Sequence, residues 1–123
     1  MDNNVMKHYQ NLFSPIALGP ITLKHRATMS AHGMGMGDRS GGVSQRLHNY
    51  LVTRAEGGAA MLGTESAPVH ESSRNRTLDI RLYDDQAIPT LRRLADAVHA
   101  AGAKLSITLW HGGHNVSFIE GQS

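Results

Sequence analysis

No cysteine occurs anywhere in the chain. That excludes a disulfide framework and a thiolate metal site, and makes a reducing, cytoplasmic home the default expectation. Aromatic residues are scarce, at 5%, and no basic stripe interleaves with them, so no nucleic-acid partner is expected. Nor does any apolar run reach the length that spans a bilayer. The N-terminal MDNNVMKHYQNLF also lacks the charge order and apolar centre of a signal peptide, so no membrane partner is expected. Charge of one sign is not in excess either, since 12 Lys and Arg against 10 Asp and Glu leave a formal +2. What remains is a globular chain of at most one domain, long enough at 123 residues for a modest core.

What is present has a clear order. IALGPITL (16–23) reads as two short apolar stretches around Gly19-Pro20, a small hairpin before the main fold. RATMSA (26–31) reads as a strand, and HGMGMGDRSGG (32–42), with five glycines, as a loop. Ser44 then caps a helix that carries Leu47, Tyr50, Leu51 and Ala55 on one face and stops at Gly57-Gly58. AAMLGTESA (59–67) is a strand apolar enough to be buried on both faces, and the polar, arginine-rich stretch from Pro68 to Asp84 reads as loop. A second helix has Asp85 as cap, Pro89 in its first turn, and Ile88, Leu91, Leu94, Ala95 and Val98 at helical spacing up to Gly102. In KLSITLW (104–110), Leu105, Ile107 and Leu109 share one face, and Ser106, Thr108 and Trp110 the other. Strand and helix alternate, which predicts a parallel sheet with crossover helices. The long loops all follow strands, so Ser30–Gly33, Glu65–Pro68 and Trp110–His114 gather at the edge where such folds place their sites.

Each candidate has a purely structural alternative. Gly33, Gly35 and Gly37 follow a strand but match neither the dinucleotide fingerprint nor a P-loop, so the loop is first of all a loop. His111 and His114 flank two glycines, but without a third ligand or a carboxylate partner they predict no metal site. Instead they contact a ligand or cap the loop backbone. Thr108 faces either a ligand or its own backbone partners. Glu65, Asp79, Asp84 and Asp85 form no catalytic pair by spacing.

Taken in order, LFSPIALGPITLKHR (12–26), ATMSAHGM (27–34), LVTRAEGGAAMLGTESAPV (51–69) and LYDDQAIPTLRRLADAVHAAGAKLSITLWHGGH (82–114) resemble the N-terminal part of the old yellow enzyme family of FMN-dependent NAD(P)H:flavin oxidoreductases. The resemblance implies the N-terminal portion of a (β/α)8 TIM barrel: about three parallel strands and two helices after a short hairpin, with FMN at the strand C-termini. It implies that Ser30, Ala31, His32 and Gly33 touch the flavin ring and ribityl chain. It puts Ser66 where a small residue lets the backbone approach the ring, and Thr108 where a glutamine commonly bonds the flavin pyrimidine. Gly35, His111 and His114 fall on the substrate side. Three positions depart from the pattern: Gly33 replaces a cysteine or threonine that tunes the flavin, Thr108 is shorter than glutamine, and His114 stands in place of the arginine of H-x-G-R.

The implied activity is hydride transfer from NAD(P)H through FMN to an electron-poor alkene or related small molecule. Eight strands close such a barrel. The resemblance also puts the phosphate site, the substrate-anchoring histidine pair and an arginine near the flavin beyond the strands present. The expectation is therefore that residues 1–123 are a partial FMN-binding barrel, incomplete at the C-terminus and inactive alone, with no proton donor and no oligomeric state assigned. The alternatives are a non-enzymatic α/β module that binds a phosphate ligand or a partner through residues 32–42, and an inert truncated product.

Overall fold

The computed structural model describes residues 7–74 and 76–116. Residues 1–6 of the N-terminal stretch and residues 117–123 of the expected 1–123 domain lie outside the described residues. A one-turn helix, Gln10–Phe13, leads into an antiparallel hairpin of Ile16–Leu18 (β1) and Ile21–Leu23 (β2). Leu18 pairs with Ile21, and the turn between them has Gly19 at φ 56°, where a Cβ would be strained. His25 Nε2 lies 2.8 Å from the carbonyl oxygen of Gly58, and Arg26 N–H donates to the Leu12 carbonyl at 2.9 Å. Because Gly58 precedes a strand, this contact seats the hairpin at the end of the sheet opposite the loops of interest.

The main sheet has three parallel strands in the order β3-β4-β5: Thr28–Met29 (β3), Met61–Pro68 (β4) and Lys104–Trp110 (β5). Their order and direction follow the alternation of the sequence. β3 is shorter than the 26–31 stretch expected, because the chain leaves the ladder after Met29 to enter a loop held by β4. Two helices pack on one face of the sheet, Gln45–Glu56 (α1) and Ile88–Ala100 (α2). Leu47, Leu51 and Ala55 of α1 and Leu94 and Val98 of α2 are buried against Leu62 and Ala67 of β4. Full burial of each leucine contributes about 1.5–3 kcal/mol. Ser44 Oγ accepts the Leu47 N–H at 3.1 Å, as its place before α1 suggests.

α2 begins differently from its sequence pattern. Asp84, not Asp85, accepts the Gln86 N–H at 3.0 Å, and a 3-10 turn, Asp85–Ala87, precedes the helix proper. Three residues per turn there rotate the helix start, and Ile88 is exposed where the period had placed it inside.

Leu62 and Ala67 are five residues apart, so an unbroken strand would put them on opposite faces. Both are in the core because β4 contains a β-bulge: Gly63 pairs with Ser106 and Ser66 with Thr108, leaving Thr64 and Glu65 opposite Ile107 alone. The extra residue flips the phase of the strand. Along β5 the alternation is regular; Leu105 packs on the core, so Thr108 faces away from the helices. The sheet does not close on itself, and β3 and β5 leave two open edges among the described residues. Leu109, on the helix side of β5, is 68% exposed. No helix of the described residues is long and apolar enough to cross a membrane.

Candidate functional site

The loops that follow β3, β4 and β5 meet at the C-terminal edge of the sheet, and one buried carboxylate organises them. Glu65, re-aimed by the bulge, is 1% exposed. Its Oε2 accepts the N–H groups of Met34 at 3.0 Å and Gly35 at 2.7 Å, and its Oε1 that of Met36 at 3.2 Å. A carboxylate can accept several such bonds at once, and charge-assisted ones are the strong kind. Sequence spacing put Glu65 at this edge but missed its role as the acceptor that shapes the loop. Its signal was an acid between Thr64 and Ser66 in a strand that is otherwise uncharged.

The glycine-rich loop is thereby committed to protein contacts. Gly37 N–H donates to the Leu78 carbonyl at 3.0 Å, and a Cβ on Gly37 would lie 2.5 Å from that oxygen, so only glycine fits beneath the following loop. Gly41 N–H donates to the Asp38 carbonyl at 3.2 Å and Gly42 N–H to Asp38 Oδ1 at 2.8 Å. A phosphate entering here would have to displace these acceptors. The segment from Pro68 to Asp84, read from sequence as plain loop, is anchored as well: Ser73, Asp79 and Ile80 are buried, and Leu82 N–H donates to the Pro68 carbonyl at 3.0 Å.

Asp38 gives this loop a dependence on acidity. Burial by itself pushes its carboxyl up, but the Ser40 hydroxyl at 2.6 Å, the Gly42 N–H and the backbone at Ser40 and Gly41 together hold it below the usual 3.8. The folded value lies below the unfolded one. The group therefore contributes stability that is fully present above the unfolded value and is lost as pH falls through the folded value. Urea midpoints measured from pH 7 down to about pH 3 should fall less steeply in Asp38→Asn than in the wild type. Parallel acid limbs in the two proteins would contradict this role.

The residues that the resemblance assigns to a flavin are placed as follows. Ser66 and Thr108 are in register on neighbouring strands, Ser66 half-buried and Thr108 exposed, both on the face away from the helices. Ser30 and Gly33 are exposed and Ala31 half-buried where the chain leaves β3. His32 turns its ring elsewhere: Nε2 lies 3.2 Å from Tyr50 Oη on α1, and the Arg54 guanidinium covers the Tyr50 ring at 3.2 Å from its centroid. Only the backbone of His32 is left for the site edge.

Gly35 adopts φ 61° and gives its N–H to Glu65. The ring of His111 is held at both nitrogens, with Nδ1 accepting the Gly113 N–H at 3.1 Å and Nε2 lying 3.3 Å from Ser72 Oγ. Ser72 Oγ in turn lies 2.9 Å from His70 Nδ1, so the loops after β4 and β5 are joined through one hydroxyl. His114 is exposed in the turn Gly113–Asn115. Among the described residues no group of three or more His, Cys, Asp or Glu could hold a metal ion. The edge thus presents the Ser30, Ser66 and Thr108 hydroxyls and the Arg76 guanidinium, donors suited to the ring nitrogens and carbonyl oxygens of a planar heterocycle.

Comparison with known proteins gives a consistent pattern. The model of the NADH:flavin oxidoreductase / NADH oxidase family matches residues 11–123. An NADH oxidase of Thermoanaerobacter brockii is 34% identical over 113 residues, covering 91% of this chain and 17% of the relative. A 4,4'-dithiodibutanoate disulfide reductase of Rhodococcus erythropolis is 40% identical over 103 residues, covering 84% of this chain and 25% of the relative. Among solved structures, 2-naphthoyl-CoA reductase in complex with 2-naphthoyl-CoA superposes with a TM-score of 0.83 at 29% identity, covering 89% of this chain and 17% of that one. The chain therefore spans a quarter or less of the length of each of these relatives.

Proposed function

Because this chain belongs to the NADH:flavin oxidoreductase / NADH oxidase family, the old yellow enzyme group it resembles, we propose that it supplies the first strands of an FMN-binding (β/α)8 barrel and the ring-contacting side of its site. The barrel would have NAD(P)H as reductant and an electron-poor alkene or related small molecule as acceptor. The observation that carries the proposal is the in-register pair Ser66 and Thr108, facing away from the helices at the C-terminal edge of a parallel sheet. Bound FMN would supply the redox chemistry by accepting and passing on hydride.

The chain's own residues bind and orient. The Thr108 and Ser66 hydroxyls donate toward the ring edge. The backbone of Ser30–Gly33, fixed through the neighbouring Met34–Met36 turn on Glu65, forms a wall beside it. The relatives named above include an NADH oxidase, a 4,4'-dithiodibutanoate disulfide reductase and a 2-naphthoyl-CoA reductase, and the few exposed groups beyond β5 in this chain, His111 and His114, do not by themselves select among such acceptors.

Amide NMR of the labelled chain under a millimolar FMN titration tests the proposal. Shifts are expected at Ser30–Gly33, Ser66 and Thr108, with none in the hairpin at 16–23. Shifts confined to residues 38–42 would favour a phosphate-binding module instead, and no shift at all would remove the flavin reading.

A further inference from the structure

Gly33 is a glycine for reasons of space. Its φ lies outside the left-handed region, so an L side chain could adopt its backbone. A Cβ placed there, however, would lie 2.5 Å from Nη1, 2.7 Å from Nη2 and 3.0 Å from Cζ of Arg76. The Arg76 guanidinium, carried by the loop between β4 and α2, occupies the volume that a side chain at residue 33 would fill.

Two further observations describe what the guanidinium is doing there. Inward, Arg76 Nη1 is 3.9 Å from Glu65 Oε2. That distance gives attraction without a hydrogen bond, and the Glu65 oxygens already accept three backbone N–H groups. Outward, the Arg76 side chain is 42% exposed. A guanidinium carries five N–H donors, and among the described residues those of Arg76 make this one ion pair and no hydrogen bond to protein. Glu65 thus steers the charge to the site edge without using up its donors.

We propose that Arg76 acts in place of a side chain at residue 33: it presents a positive hydrogen-bond donor to the flavin ring and so favours the reduced, anionic flavin over the oxidised form. This rests on the reading that flavin binds at this edge. Arg76 acts on the ring directly, as a hydrogen-bond donor that tunes it, and takes no part in the covalent bonds made or broken.

The experiment compares the affinity of the full chain for oxidised FMN and for dithionite-reduced FMN under anaerobic conditions, by amide NMR titration. Hydrogen bonds to charged groups favour the wild-type complex with the reduced form by roughly tenfold, equivalent to about 30 mV in a two-electron potential. Arg76→Ala should abolish the preference. Gly33→Ala should do the same with little change in thermal stability, because its methyl pushes the flexible guanidinium aside. The double variant should lose no more than either single one, as expected for two changes that act on one group. Arg76→Lys, which keeps the charge without the planar fork, should retain part of the preference. Binding of both forms with the same preference in the wild type and Arg76→Ala would overturn this inference and leave the flavin reading intact. Binding of neither form to the wild type would overturn the flavin reading, and this inference with it.

Discussion

Titrated with FMN, the 123-residue chain binds orders of magnitude more weakly than a complete barrel that carries the same segment. A flavin phosphate is doubly charged near neutrality and is ordinarily held by backbone N–H groups and a helix N-terminus. The family resemblance puts that grip after strands that lie beyond this chain. The backbone N–H groups of the glycine-rich loop offer no ready replacement. The N–H groups of Met34, Gly35 and Met36 are given to Glu65, Gly37 to Leu78, and Gly42 to Asp38, while Ser44 already caps the first turn of α1. Ring contacts alone remain. Each missing charge-assisted hydrogen bond costs roughly 1.5–3 kcal/mol, and each 1.4 kcal/mol is about a factor of ten in affinity. Flavin fluorescence followed during titration reads the result directly. Submicromolar affinity by a monomeric chain would mean a phosphate site elsewhere and would end the partial-barrel reading.

The parts of this fold that were legible in the sequence are those set by neighbours in the chain. Gly19-Pro20 between two apolar triplets gives the hairpin, Ser44 and Gly57 bracket α1, and the alternation of strand and helix gives a parallel sheet in chain order. The face of Thr108 was legible too, since β5 is regular and Leu105 identifies the core side. What the sequence concealed depends on contacts between distant segments. The bulge at Thr64-Glu65 adds one residue to a strand whose composition reads as continuous, and only the pairing with β5 reveals it. The Arg76 guanidinium over Gly33, the Leu78 carbonyl under Gly37 and the burial of Ile80 all arise because one long loop lies on another. The ring of His32 is drawn to Tyr50 by a helix contact that no local pattern encodes. Composition gave five glycines in residues 32–42, and the structure gives different reasons for them: at Gly33, Gly37 and Gly41 the neighbouring loop fills the space a side chain would take, Gly42 lies against Thr90 of α2, and Gly35 is required by its backbone at φ 61°.

Glu65→Ala should be as damaging as the loss of a fully buried leucine from the core. It removes the acceptor of three N–H groups, at 2.7–3.2 Å, from a site where the side chain is 1% exposed. No other side chain in the site replaces it, and an unsatisfied buried donor costs about 1–3 kcal/mol. Partial relaxation and entry of water bring the sum to roughly 3–5 kcal/mol, comparable to breaking other buried charged contacts. Against a total stability of about 5–15 kcal/mol for a natural domain, and with a core left open at two strand edges, that loss is enough to lower the thermal midpoint by at least about 10 °C. Glu65→Gln keeps one carbonyl acceptor but turns an amide donor toward the loop N–H groups, so it should fall between the wild type and Glu65→Ala. Circular dichroism gives the melting midpoints, and hydrogen exchange locates the damage: the amides of Met34, Gly35 and Met36 should lose protection before those of α1 and α2. A Glu65→Ala chain within about 0.5 kcal/mol of the wild type, with those three amides still protected, would show that the loop holds its shape without the carboxylate. The wall beside the proposed flavin would then have to be fixed by the Leu78 contact to Gly37 alone.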